Sequence, residues 1–174
     1  MQPLRNMKNC LWLLVFCCLA LGCAKAPPNT QPANEPPAIN SVDVVKAHPQ
    51  DVTIAAGDSG EAVVKLQITN GYHVNANPPT FSYLIPTALE LAPADGIGVE
   101  FVTYPDPLTK KFAFAEKPLA VYEGETIVKA RLKADKTTKP GTHNLSAKLR
   151  VQACDDKVCY APGDIDLVVP VNIK

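Results

Sequence analysis

The sequence predicts an all-β fold of the immunoglobulin-like sandwich type. Short segments carry apolar residues at alternate positions, turn residues separate them, and no stretch has a convincing amphipathic helical period. About seven strands at this spacing are typical of such a sandwich. An apolar content of 47%, with 17 prolines and nine glycines, suits a β-rich domain with a real core.

The first half of the predicted domain contains four strand regions. The first extends over residues 42–54 and is broken at His48-Pro49, and residues 57–60 form a turn. Residues 61–69 alternate most cleanly before Asn70-Gly71 ends the strand. Their inward face is Ala62, Val64, Leu66 and Ile68. Residues 81–91, interrupted by Pro86, are interpreted as strand and loop, and Ile97, Val99 and Phe101 mark the next strand.

The second half begins with a long loop, residues 104–119, which holds three prolines and two phenylalanines. Long loops in compact domains are uncommon and are often functional. Three strands follow, at residues 126–134, 143–153 and 164–173, with a turn at Lys139-Pro-Gly141. The inward residues of the first are Val128, Ala130, Leu132 and Ala134.

The N-terminal 40 residues read as an export signal and a tether. Arg5 and Lys8 precede an apolar run of 11 residues, which is shorter than the ~20 needed to span a bilayer, so residues 1–23 are predicted to be a signal peptide. Leu19-Ala-Leu-Gly-Cys23 resembles a bacterial lipoprotein box with Cys23 as the lipid anchor, although Ala20 and Leu21 are in reversed order. The alternative is an ordinary secretory signal. Residues 24–40, with five prolines and four alanines, are predicted to be a disordered tether.

The charge of the chain argues against nucleic-acid binding. The whole sequence has 17 basic and 17 acidic residues, and the leader holds two bases and no acids. The remainder therefore has 17 − 2 = 15 bases against 17 acids, a net charge of −2. Neutralising phosphates requires a basic surface, which this balance does not provide.

Cys154 and Cys159 are the only cysteines outside the leader and its end, and an exported protein meets an oxidising compartment. Cys154 has the parity of the polar positions of its strand, which predicts that it points away from the core. A loop of about six residues gains only ~2 kcal/mol in the chain-entropy model, against ~4.7 kcal/mol for a hundred-residue loop. The pair is thus poorly placed to stabilise the fold as a cross-link and well placed as an exposed, reducible disulfide.

Two simpler interpretations stay open from the residues alone. A single disulfide in an exported β domain is most often inert. His48, His73 and His143 do not form a metal-ligand spacing with the cysteines, so each is interpreted as a surface or turn residue, and no metal site is predicted.

The segment Val151-Gln-Ala-Cys-Asp-Asp-Lys-Val-Cys159-Tyr-Ala-Pro162 resembles the end of the N-terminal periplasmic domain of the thiol:disulfide interchange protein DsbD. Ile68-Thr-Asn-Gly-Tyr-His-Val-Asn75 and Leu119-Ala-Val-Tyr-Glu-Gly124 are similar to two further segments of that family. The resemblance covers residues 41–174, the whole predicted domain.

The resemblance implies an immunoglobulin-like sandwich with a redox-active pair, Cys154 and Cys159, that needs no cofactor. Cys159 would form mixed disulfides with partners, and Cys154 would resolve them. Expected partners are periplasmic thioredoxin-like proteins or disulfide isomerases, with a membrane electron donor of the DsbD type. The loop 104–119 would be a cap, with Phe112 or Phe114 covering the sulfurs.

Some features depart from the family. Four residues separate the cysteines, against five in the best-known members, and the cap segment does not align cleanly. The sequence contains no transmembrane bundle and no Cys-x-x-Cys thioredoxin domain. We therefore expect a lipoprotein of the cell envelope that faces the periplasm, with the outer membrane slightly favoured because Ala24, not aspartate, follows Cys23. Whether it acts as a protein-disulfide reductase stays open, and the alternative is a non-catalytic binding or assembly module with a structural disulfide.

Overall fold

A computed structural model describes residues 39–174 of the chain. The predicted signal peptide (1–23), its Cys23, and all but the last two residues of the predicted tether (24–40) lie outside the described residues. Within residues 39–174, no helix is long and apolar enough to cross a membrane. The described part opens with a 3-10 turn, Ser41–Val44, and continues almost entirely as strands and their connections.

Twelve strands make up the described part of the chain. They are β1 (Val45–Pro49), β2 (Val52–Ile54), β3 (Ser59–Ile68), β4 (His73–Asn75), β5 (Ala88–Leu91), β6 (Ile97–Thr103), β7 (Leu108–Lys110), β8 (Leu119–Tyr122), β9 (Glu125–Ala134), β10 (Gly141–Val151), β11 (Ala153–Cys154) and β12 (Gly163–Ile173). They form three four-stranded sheets, in the orders β1-β3-β9-β6, β2-β12-β10-β5 and β11-β4-β8-β7. The prediction of an all-β, immunoglobulin-like sandwich is confirmed.

The first two sheets supply most of the core, and their long strands follow the predicted alternation. Val74, Tyr122 and Ala153 of the third sheet also belong to it. In β9, and in β3 from Ala62 onward, every second residue is buried, and the intervening ones are partly or fully exposed. The buried residues of β9 are Thr126, Val128, Ala130, Leu132 and Ala134. Each large aliphatic side chain that is buried in this way stabilises the fold by about 1.5–3 kcal/mol. A shift of the strand pairing by one residue would expose all of these side chains to water, so the period-two pattern fixes the register.

The longest strand pairing among residues 39–174 ends next to the cysteines. β10 and β12 pair antiparallel over eleven residues, from Gly141 opposite Ile173 to Val151 opposite Gly163. The inward side chains of β10 are fully or almost fully buried, among them Leu145, Leu149 and Val151. Cys154 and Cys159 lie just beyond the end of this ladder, so a rigid element positions them.

The third sheet was not foreseen. The predicted loop 104–119 contains β7, which pairs with β8, while β8 pairs with β4 and β4 with β11. These strands are two to four residues long, too short to show a period in the sequence. The prediction of about seven strands was an undercount for this reason.

Candidate redox site

A disulfide joins Cys154 and Cys159 across a tight hairpin. The two residues face each other as an isolated antiparallel bridge. On one side of them the Tyr160 N–H donates to the Ala153 carbonyl at 2.8 Å, and on the other the Asp155 N–H donates to the Val158 carbonyl at 2.9 Å. The cysteines therefore occupy a pair without its own backbone hydrogen bonds, where opposed side chains come closest.

The Asp155 carboxylate organises the turn of this hairpin. One oxygen accepts from the backbone N–H groups of Lys157 at 2.7 Å and Val158 at 2.8 Å, and the other accepts from the Tyr160 hydroxyl at 2.7 Å. These bonds, the one from Tyr160 foremost, hold the pKa of Asp155 below its usual value. The same contact with Asp155 raises the pKa of Tyr160 to about 12. An aspartate that bonds the backbone two and three residues onward is typical of a turn.

The two cysteines differ in exposure. Cys154 is 0% exposed, whereas Cys159 is partly exposed. The prediction that Cys154 is exposed was wrong. Ala153 keeps the inward parity of β10 and belongs to the main hydrophobic core. Cys154 lies outside that core and is buried opposite His73 in the β4–β11 ladder.

The two phenylalanines of the predicted cap lie at different places. Phe112 is 3% exposed, and its ring stacks on the His73 ring with the centroids 4.0 Å apart. Phe114 is 40% exposed and stacks on Phe112 at 5.3 Å. Only Phe114 lines the cleft that contains Cys159.

That cleft has a volume of about 470 Å³. It contains one face of Cys159 and is walled mainly by apolar and aromatic side chains, including Phe81, Tyr83, Phe114 and Val158. Tyr83 is 74% exposed and Val158 is 50% exposed. Large apolar side chains that are exposed and contiguous commonly mark an interaction surface.

His73 was predicted to be a surface or turn residue, and this was wrong. It is 1% exposed, lies in β4 and is paired directly with Cys154 across the β4–β11 ladder. Its Nε2 is buried and has no hydrogen-bond partner among residues 39–174. Burial lowers the pKa of His73, and the nearby Glu123 opposes this effect. All three residues of β4 are buried, so the strand gave no alternating signal.

Polar side chains that the sequence did not single out fix the hairpin to the rest of the domain. The Gln152 side-chain oxygen accepts from the Ile85 N–H and from the Asn75 amide, each at 3.0 Å, and its amide donates to the Tyr160 carbonyl at 3.3 Å. From the other side, the Ser41 hydroxyl donates to the Ala161 carbonyl at 2.6 Å and accepts from the Ala153 N–H at 2.9 Å. Gln152 is part of the motif quoted above, which was the only available signal.

The described residues contain no group of three or more histidine, cysteine, aspartate or glutamate side chains arranged to hold a metal ion. The chemistry that the site offers is that of its sulfurs. A buried cysteine is bonded to a partly exposed one beside an apolar cleft, on a hairpin whose shape depends on Asp155 and Gln152 as well as on the disulfide.

Comparison with known proteins agrees with this fold. A β-sandwich domain with a disulfide across its terminal hairpin is the class that the geometry defines. The sequence matches the family described as "Thiol:disulfide interchange protein DsbD, N-terminal" over residues 41–168, and the chain belongs to that family. A search of curated proteins found no match.

Among solved structures, the chain is similar to the N-terminal periplasmic domain of ScsB from Proteus mirabilis, with 17% identity and a TM-score of 0.50. The similarity covers 72% of this chain and 44% of that one, so the chain spans less than half of its length. A weaker similarity is to a family 123 glycoside hydrolase from Clostridium perfringens, with 11% identity and a TM-score of 0.33 over 75% of this chain and 28% of that one. Another is to a PapD-like domain of human CEP192, with 10% identity and a TM-score of 0.32 over 83% of this chain and 92% of that one.

Proposed function

We propose that the protein is a thiol–disulfide exchange carrier of the periplasm, which passes reducing equivalents to partner proteins through Cys154 and Cys159. The observation that carries the proposal is the unequal exposure of the pair: Cys154 is buried, while Cys159 borders an apolar cleft. Membership of the DsbD N-terminal family supports the same chemistry.

The exchange needs a thiolate, a disulfide and a mixed disulfide between them. In the reduced carrier, the Cys159 thiolate attacks a sulfur of the partner's disulfide and releases the partner's other cysteine as a thiolate. The Cys154 thiolate then attacks Cys159 and releases the second partner thiolate, which takes a proton from water. The partner gains two electrons and the carrier returns to its disulfide.

The partners in this proposal are periplasmic thioredoxin-like proteins or disulfide isomerases, with a separate membrane donor of the DsbD type restoring the dithiol. The apolar cleft beside Cys159 would receive them. Phe114 would act as a movable cover of this cleft, and Phe112 would stay packed on His73.

The domain organisation is part of the proposal. Residues 1–23 would direct export, Cys23 would carry the lipid anchor, residues 24–40 would form the tether, and residues 41–174 would be the exchange domain. This arrangement would keep the domain at the membrane surface of the cell envelope, with the outer membrane slightly favoured.

The test is a pair of matched variants produced in the cell of origin. Cys154→Ser retains the cysteine that faces the cleft but cannot resolve a mixed disulfide, so it should accumulate covalent complexes that dissociate on reduction. Cys159→Ser should accumulate few or none. Non-reducing electrophoresis measures both, and equal trapping, or no trapping by either variant, would contradict the proposal.

The full burial of Cys154 favours a second candidate, a cell-envelope binding module whose disulfide is only structural. The two functions differ in what reduction does. A carrier keeps its fold as a dithiol, and a structural disulfide either resists thioredoxin-like reductants or loses the hairpin when opened. Circular dichroism of the reduced protein distinguishes them.

A further inference from the structure

In the proposed function, on which this inference rests, Cys154 must react although it is buried. To resolve a mixed disulfide, the Cys154 thiol must lose its proton, because only the thiolate is a nucleophile. Cys154 is 0% exposed, and burial disfavours a thiolate. Asp155 and Asp156, which follow it in the chain, disfavour a negative charge further. Water has poor access to take the proton, so a nearby base is needed.

His73 is the ionisable residue that lies directly opposite Cys154. It is paired with Cys154 in the antiparallel register of β4 and β11, and directly opposed residues project from the same face with Cβ atoms about 4.5–5.5 Å apart. The ring is 1% exposed, and its Nε2 is buried without a hydrogen-bond partner among the described residues. A buried polar atom with no partner is uncommon and calls for an explanation.

The surroundings of His73 favour its neutral form, which is the form that can accept a proton. Burial is the largest influence and lowers its pKa, and Lys110 acts in the same direction. Glu123, Asp156 and Asp155 act in the opposite direction. Glu123 is paired with Lys110, so these two charges largely offset each other at the ring. Phe112 covers the ring at 4.0 Å and shields it from water.

We propose that His73 accepts the proton of Cys154 when Cys154 resolves the mixed disulfide on Cys159. The proton passes from the Cys154 sulfur to the free imidazole nitrogen. The thiolate then attacks Cys159 and expels the partner's sulfur as a thiolate, and the imidazolium later releases its proton to water. Each charge alone is disfavoured by burial, but the thiolate and imidazolium form together and stabilise each other, as in other cysteine–histidine pairs.

A purely structural role for His73, as a flat support for Phe112, makes a different prediction. In that case any change at His73 disturbs the cap, and the effect on exchange is the same at every pH. A proton acceptor matters only where the Cys154 thiol does not ionise by itself. Its loss is therefore corrected by raising the pH.

The experiment follows the two chemical steps separately in the full chain, purified in detergent and reduced, with 5,5′-dithiobis(2-nitrobenzoate) as the probe disulfide. Attack by Cys159 releases one coloured thiolate, and resolution by Cys154 releases a second. Stopped-flow absorbance resolves the two phases across pH, and the Cys154→Ser, Cys159→Ser double variant provides the blank for all other cysteines. Cys154→Ser identifies the first phase.

We expect His73→Gln to slow the second phase by about 100-fold or more near pH 7, the range of general base catalysis, and to leave the first phase nearly unchanged. The deficit should disappear as the pH rises toward about 10, where a buried thiol ionises on its own. His73→Tyr, which keeps an aromatic ring against Phe112, should show the same pH-dependent defect and decides the matter if His73→Gln does not fold. A second phase that is unchanged, or slowed equally at every pH, would overturn the inference.

Failure of this inference is distinguishable from failure of the proposed function. If Cys154→Ser traps no partner in cells, the carrier function fails, whatever the two-phase kinetics of the purified protein show. If trapping succeeds and the rate of the second phase does not depend on His73, only the proposed role of His73 is wrong.

Discussion

The sandwich body and the cysteine end of the domain are built on different principles. In the body, long strands such as β9 and β10 alternate buried and exposed residues, and the backbone is satisfied by continuous ladders. At the cysteine end, the strands are two to four residues long. Side-chain hydrogen bonds of Asp155 and Gln152 and the stack of Phe112 on His73 stabilise this end. That end also contains both of the buried side-chain atoms without partners in the described residues, His73 Nε2 and Asn75 Oδ1.

The sandwich body stabilises the fold, whereas the cysteine end contains buried polar atoms that lower its stability. Unsatisfied buried polar atoms each cost about 1–3 kcal/mol, and such costs persist mainly at functional sites. The body supplies the stability that offsets them, and the eleven-residue β10–β12 ladder holds the hairpin in place. Changes in the body should therefore alter stability, and changes at the cysteine end should alter reactivity.

The largest effect on stability is expected from Leu149→Ala. Leu149 is 0% exposed in β10, so the substitution should lower the free energy of unfolding by about 2–5 kcal/mol through lost burial and a cavity. Urea denaturation measures this. The neighbouring Lys148→Ala, on the solvent face and paired with Asp164 and Asp166, is the matched control and should change the free energy of unfolding by less than about 1 kcal/mol.

Neither substitution should change how fast dithiothreitol opens the disulfide under native conditions. If Leu149→Ala accelerated reduction of the native protein as strongly as it lowered stability, the separation between body and site would be wrong.

Phe112 and Phe114 provide the next test, within the cysteine end itself. Phe112→Ala removes a buried ring and should lower the free energy of unfolding by about 3 kcal/mol, whereas Phe114→Ala, already 40% exposed, should lower it by less than about 1 kcal/mol. Phe114→Ala should instead accelerate reduction of the disulfide several-fold, because Phe114 lines the cleft of Cys159.

The two rates, measured with dithiothreitol, show which phenylalanine covers the reactive sulfur. Equal losses of stability in the two variants, with no acceleration in Phe114→Ala, would show that the loop is only part of the fold.

The smallest effects concern Asp155 and depend on pH. Its pKa is depressed in the folded protein, so its stabilisation is present above its unfolded pKa of about 3.9 and is lost as the pH falls through the folded value. Asp155→Asn should therefore reduce stability at neutral pH by less than about 2 kcal/mol and lose this deficit in acid. The exposed neighbour Asp156→Asn is the control.

Tyr160 reports the same contact from the other side. Nuclear magnetic resonance of its ring should show its pKa falling from about 12 toward the ordinary value near 10 in Asp155→Asn. An unchanged Tyr160 titration in that variant would show that the bond between Asp155 and Tyr160 does not hold the hairpin.

The contrast between body and site also explains what the sequence could predict. The alternation of Ala62, Val64, Leu66 and Ile68 predicted the inward face of β3 because residues 61–68 carry a clear period. A resemblance in the segment around Cys154 identified the family, which the match over residues 41–168 then showed. Long strands and a distinctive motif can both be recognised in a single sequence.

The rest depended on interactions between distant segments. The parity of β10 places Cys154 outside the main core, but the sequence did not show that His73 and Phe112, from distant segments, lie on that face. The prediction for His73 was wrong because all of β4 is buried, and its ring is covered by Phe112, 39 positions further along the chain. The choice between Phe112 and Phe114 could not be made from a loop whose short strand, β7, has no sequence signal.

The most direct test of the central claim is the equilibrium reduction potential of the Cys154–Cys159 pair, measured with circular dichroism to follow the fold. Exchange proteins lie between about −120 and −270 mV, and the account predicts a value in this range, with the strands intact in the dithiol form. A value below about −300 mV, the range of stable structural disulfides, or unfolding on reduction, would contradict it and identify the pair as a structural bond.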